Sequence, residues 1–148
     1  MYRHILVATD GSKLSDKAVA TAIDLAKLSG AKLTAVHATE PFPVGMFPEY
    51  MMVSEAATPQ AWDESQRKRA TAILDKVKDK AAKAGVELKT ATAATLDPHD
   101  AILSAAKSKR CDLIVMASHG RRGLQGLILG SETHKVLTHG RLPVLVCR

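Results

Sequence analysis

The chain has 148 residues, 46% of them hydrophobic and 24% charged, which are the proportions of a globular domain and exclude disordered and fibrous classes. That length suits one core, hence a single domain over residues 1–148, and is short for two. A formal charge of +6 with only 3% aromatic residues suits a small anionic ligand and argues against the stacking platform of a single-strand nucleic-acid binder.

The first apolar run, ILVA at 5–8, ends in TDGS and reads as a strand and turn, too short for a secretion signal. KLSDKAVATAIDLAKLSG follows, with Val19, Ala22, Ile23 and Ala26 at helical spacing and Gly30 as the stop. AKLTAVHA supplies a second strand, with Leu33 and Ala35 on one side and His37 a candidate third. Across residues 39–58 the pattern is lost, because Pro41, Pro43, Gly45 and Pro48 break both helix and ladder. Within this long loop MFPEYMMV is soft and apolar; packing over a sheet edge or helix is the favoured reading, a lid or partner contact the alternative.

An amphipathic helix is predicted from Pro59 or Trp62 to Gly85, carrying Ile73, Leu74, Val77 and Ala81 inward. Its lysines lie among acids, with Glu64 and Lys68 four apart as on a solvated face. VELKTATAA is the third strand. DPHDAILSAAKSK then starts a helix at Asp97 or Pro98, burying Ala101, Ile102 and Ala105, and CDLIVMA gives the fourth strand. SETHKVLTHG is a short helix and LPVLVC the fifth strand. No apolar run approaches the about 20 residues that cross a bilayer. Cys111 and Cys147 fit no disulfide or zinc pattern and read as small structural hydrophobes of a cytoplasmic protein.

Apolar strands alternating with helices predict an α/β, doubly wound layer: a five-stranded parallel sheet with helices on both faces. Ligands of such sheets bind beyond the carboxyl ends of the strands. That selects ATDGS after the first strand and MASHGRRGLQGLILGSETHK after the fourth. The second stretch spells neither a Walker loop nor the dinucleotide fingerprint. It holds Gly120, nine intervening residues, then GSET leading into a helix. Free N–H groups and the dipole at a helix start attract phosphate; the alternative is that Gly130 only turns the chain and Ser131 only caps the helix.

ILVATDGS together with DLIVMASHGRRGLQGLILGSETHKVLTHGRLPVLVCR resembles the universal stress protein family in its nucleotide-binding branch, over nearly the whole chain. The family motif is Gly, two residues, Gly, nine residues, Gly, then Ser or Thr. Gly120, Gly130 and Ser131 match it, while Ala117 stands at the first glycine, where a methyl group matters only if the backbone needs positive φ or meets the ligand very closely. The resemblance implies a Rossmann-type fold of the adenine nucleotide alpha hydrolase kind. It also places Ala8, Thr9 and Asp10 around adenosine and phosphates. Asp10 has three candidate roles: a bond to ribose, a hold on a Mg2+-bound water, or orientation of its own turn.

By the same resemblance the Ala38 backbone meets the adenine edge, Met116 and Ala117 lie along adenine and ribose, and Gly120, Gly130, Ser131, Glu132 and Thr133 surround the phosphates, largely through backbone N–H groups, with the Glu132 side chain pointing away. Ser131 and Thr133 add hydroxyl donors. Arg121 and Arg122 lie where they either close on a phosphate tail or are solvated. For His119 the choices are a phosphate donor, a proton shuttle or a cap on the strand end, the last being the default. His134 and His139 are five apart, on different helix faces, which argues against a metal pair.

Three functions are compatible with these residues. The first is an ATP-binding (or ADP- or AMP-binding) regulatory stress protein, with Mg2+ and an unnamed protein partner. The second is a slow ATPase or phosphotransferase, disfavoured because the matched positions hold no lysine and offer only Asp10 and His119 for the remaining roles. The third is a stress chaperone or interaction protein that has lost nucleotide, for which Ala117 is the only support. A homodimer through the last strand, PVLVCR, is also implied, since an apolar edge strand must be covered or paired.

Overall fold

A computed structural model of the chain describes residues 1–44, 58–120 and 129–148. The expected soft apolar loop segment MFPEYMMV, and Arg121, Arg122, Gly123 and Gly126, lie outside these described residues. The elements alternate as predicted: β1 (His4–Ala8), α1 (Lys13–Ser29), β2 (Lys32–Thr39), α2 (Pro59–Lys83), β3 (Leu88–Ala94), α3 (Pro98–Ser108), β4 (Leu113–Ala117), α4 (Ser131–His139) and β5 (Val144–Cys147).

The strands form one sheet in the order β3-β2-β1-β4-β5, and every pairing is parallel. Alternation along β1 divides the core. Ile5 and Val7 join Leu33, Ala35, Leu113 and Val115 under α1 and α2, with Val19, Ile23, Leu74 and Val77. Leu6 faces the other way, with Val36, Ile114 and Met116, toward Ile102 and Ala106 of α3 and Val136 of α4. Both faces are therefore covered, which is why the strands lack a polar side.

Local sequence explains the helix ends. The Ser12 hydroxyl accepts the Ser15 N–H at the start of α1, and Gly30 closes that helix at φ 67, a left-handed turn that glycine adopts without steric cost. Thr58 caps α2 and Pro59 occupies its first turn, where a missing N–H leaves no intrahelical bond unmade. Two expected core positions shift. In α3 the third buried residue is Ala106, with Ala105 only half-buried, because the stripe runs Ala101, Ile102, Ala106. In α2 the buried stripe is Ala70, Leu74, Val77 and Ala81. Ile73 flanks it and packs instead beside the backbone of Gly11, where an added Cβ would stand 3.0 Å from its Cγ1.

The chain runs outward from β1 through β2 to β3, then returns to place β4 on the other side of β1. In open parallel sheets such a reversal is where a crevice forms, here between the carboxyl ends of β1 and β4. No helix among the described residues is long and apolar enough to cross a membrane.

Candidate functional site

One wall of the crevice is the turn from β1 into α1. Thr9 is held there at each of its polar groups. Its N–H donates to the Val36 carbonyl at 3.0 Å, and its hydroxyl bonds to Ser15 Oγ at 3.0 Å and accepts the Gly11 N–H at 3.2 Å. Its carbonyl accepts from His37 Nδ1 at 2.8 Å. Asp10 comes next, and its Oδ1 accepts the Ser12 N–H at 2.9 Å. The turn-orienting role is thus present, and it fixes where the carboxylate points.

The other wall is the passage from β4 to α4. Asp10 and Gly120 meet across the crevice: a Cβ added to Gly120 would lie 2.7 Å from Asp10 Oδ2. A side chain there would have to displace the carboxylate. At Gly130 the neighbours are backbone, with an added Cβ 3.0 Å from His119 Cα and 3.1 Å from the Ser118 carbonyl. The Gly130 N–H donates to that same carbonyl at 2.6 Å, closing the base of the loop. The Thr133 hydroxyl, 2% exposed, donates to the Ala117 carbonyl at 2.9 Å and so fastens α4 to the end of β4.

These bonds remove one alternative and correct one expectation. The capping position of α4 is Gly130, which supplies no side chain, and Ser131 is the first helical residue, so Ser131 does not cap. The Thr133 hydroxyl proton is committed to the Ala117 carbonyl, leaving its backbone N–H as the donor available to an anion. The first intrahelical bond of α4 runs from His134 N to Gly130 O at 2.9 Å; N–H groups earlier in the turn have no acceptor within the helix. Ser131 and Gly120 are exposed and Asp10 and Glu132 half-buried, whereas Thr133 is buried. Ala117 lies inside β4, and among the described residues only Arg110 is a non-glycine with positive φ. The methyl group therefore strains no backbone.

Ala8 ends β1, Met116 and Ala117 end β4, and Ala38 stands two residues past the last β1–β2 partner, Val36. All of these lie at the crevice rim. His119 is half-buried, and its Nδ1 lies 3.2 Å from Ser118 Oγ. Arg121 lies outside the described residues.

Glu132 does turn away from the crevice. Its carboxylate accepts the His99 backbone N–H at 2.9 Å, His99 Nδ1 at 3.2 Å and Lys135 Nζ at 3.0 Å, thereby capping α3, whose own Asp97 makes no side-chain cap. Burial pushes its pKa up, but the His99 and Lys135 donors outweigh burial and hold it below the usual 4.5. A depressed carboxylate stabilises the fold above its unfolded pKa, and that contribution is lost as pH falls through the folded value. We expect acid unfolding of wild type to steepen below about pH 4.5, and Glu132→Gln to flatten that limb in urea titrations at stepped pH. Identical slopes would remove Glu132 from this role.

Sequence reasoning missed His37, Ser15 and His99. The first had a visible signal, a histidine at an inward-facing strand position level with the DGS turn. The last two are identified only by their partners in space. A cavity of about 420 Å³ lies elsewhere, between α2 and β3, lined by Glu40, Asp63, Arg67, Thr90 and Thr92 among others. None of the predicted site residues lines it.

Comparison with known proteins identifies the family. The profile described as the Universal stress protein family matches residues 1–148. Universal stress protein YxiE of Bacillus subtilis is 37% identical over 150 residues, covering 100% of both chains. Among solved structures, the universal stress protein UspA of Lactobacillus plantarum superposes with a TM-score of 0.82 at 24% identity, over 99% of this chain and 98% of that one. A universal stress protein solved in complex with cAMP superposes at 0.70 with 27% identity, over 99% and 97%.

Proposed function

The chain belongs to the universal stress protein family, and from that premise we propose that it binds an adenine nucleotide in the crevice between β1 and β4 and acts as a nucleotide-dependent regulator. The observation that carries this reading is the meeting of Asp10, Gly120 and the α4 N-terminus at the point where the strand order reverses. A structural neighbour bound to cAMP supports the ligand class.

In the proposed pose the adenine lies toward Ala38 and Met116, and the phosphates face the Ser131, Glu132 and Thr133 N–H groups. ATP is the proposed ligand, with ADP and AMP as shorter occupants of the same site. The residues fit Mg2+ held mainly by the phosphates and water, since Asp10 is one carboxylate with one oxygen already in its turn, and Mg2+ commonly keeps several waters. When bound, Mg2+ would neutralise phosphate charge. The matched positions carry no lysine, which favours regulation over rapid phosphoryl transfer. We place a homodimer on β5, an edge strand on which Leu145 is 38% exposed, because pairing with a second copy would cover it.

Thermal unfolding with Mg2+ and ATP, ADP, AMP or cyclic AMP tests this reading. A ligand at about a hundred times its dissociation constant adds about 2.7 kcal/mol of stability, enough for a clear rise in midpoint. No rise with any of the four would contradict the proposal.

A further inference from the structure

Thr9, Ser15 and His37 are 6%, 3% and 4% exposed, a buried polar cluster among the apolar residues under α1 and α2. Burying such groups is unfavourable unless each is hydrogen-bonded, and here Ser15 and His37 both bond to Thr9. The carbonyl of Thr9 can only accept, so His37 Nδ1 carries the proton. Thr9 is also where the β1–β2 ladder stops: the last partners are Ala8 and Val36, followed by the single bond from Thr9 N to Val36 O. Continuing a parallel ladder would bring the Ala38 N–H to the Thr9 carbonyl. The donor bonded to that carbonyl comes instead from the His37 ring.

We infer that His37 is a positioning residue of the nucleotide site: it takes over the Thr9 carbonyl, leaves the Ala38 N–H to the ligand, and orients the Thr9–Asp10 peptide. This rests on the nucleotide reading above. The physical link is the planarity of the peptide unit. Fixing the Thr9 carbonyl fixes the direction of the Asp10 N–H and with it the stem of the Asp10 side chain. The carboxylate is then held between the Ser12 N–H and Gly120. Without the ring N–H, the Ala38 N–H becomes the nearest replacement donor, the ladder extends by one step, and the donor facing the adenine edge is withdrawn.

The test measures ATP–Mg2+ affinity by calorimetry, alongside urea midpoints, for wild type, His37→Leu, His37→Asn and Val77→Ala. Leucine cannot donate. Asparagine presents an amide N–H close to where ring Nδ1 stands. Val77, buried on α2, provides a destabilised protein with the site untouched. We expect His37→Leu to weaken ATP binding by about tenfold or more, His37→Asn to recover most of that loss, and Val77→Ala to bind within about twofold of wild type despite its lower midpoint. Wild-type affinity in His37→Leu would overturn the inference, as would an asparagine variant no better than leucine, or an equal loss in Val77→Ala. If wild type binds no adenine nucleotide, the proposed function itself falls and this inference with it. Wild-type binding with an unaffected leucine variant removes the inference alone.

Discussion

Replacing Gly130 with alanine is expected to weaken ATP binding by about tenfold or more and to lower stability by about 1–3 kcal/mol. The new Cβ would stand 3.0 Å from His119 Cα and 3.1 Å from both His119 Cβ and the Ser118 carbonyl. These are backbone atoms or atoms fixed to backbone, so relief requires moving the start of α4 or breaking the bond from Gly130 N to Ser118 O. Either movement misaims the N–H groups proposed to hold phosphate. Gly120→Ala offers the contrast. Its Cβ would meet the tip of the Asp10 side chain at 2.7 Å, which can swing away, so affinity should fall with little change in stability. Fluorescence titration with a labelled ATP analogue and urea unfolding measure the two quantities. Wild-type values for both in Gly130→Ala would contradict the geometry described for the loop.

The largest effect on stability is expected at Leu6. It is 0% exposed, in the central strand, and packs toward Ile102, Ile114 and Val136. Leu6→Ala removes its methyl groups from the centre of that layer, where elements on both sides restrict collapse, and should cost about 3–4 kcal/mol. The urea midpoint should fall accordingly with an unchanged slope. A loss below about 1 kcal/mol would mean that α3 or α4 can close onto the sheet, which the Thr133 and Glu132 ties argue against.

The layer architecture was legible because its signals are local. Val19, Ala22, Ile23 and Ala26 repeat at helical spacing and are all buried, and the apolar runs of β1 and β4 reflect burial on both sides of the sheet. The position of the proposed site was read from topology, since the ends of β1 and β4 are adjacent only when the strand order reverses between them. Side-chain roles were less legible. Thr133 read as a ligand donor because its hydroxyl lies in the first turn of α4, yet the acceptor it uses is a carbonyl sixteen residues earlier. Glu132 was expected to turn away, but its partner His99 lies 33 positions off and has no motif. The alternative that Ser131 only caps the helix rested on serine being a common cap. The helix begins one residue earlier than that reading requires, with Gly130 in the extended conformation of an N-cap.

Amide chemical shifts recorded during titration with ATP–Mg2+ locate the nucleotide on the chain. Shifts are expected to concentrate at residues 9–12, 38, 118–120 and 130–133, with the Ala38 and Thr133 amides among the largest. Shifts confined to the cavity between α2 and β3, at Asp63, Arg67, Thr90 and Thr92, or no shifts at saturating nucleotide, would contradict the proposed site.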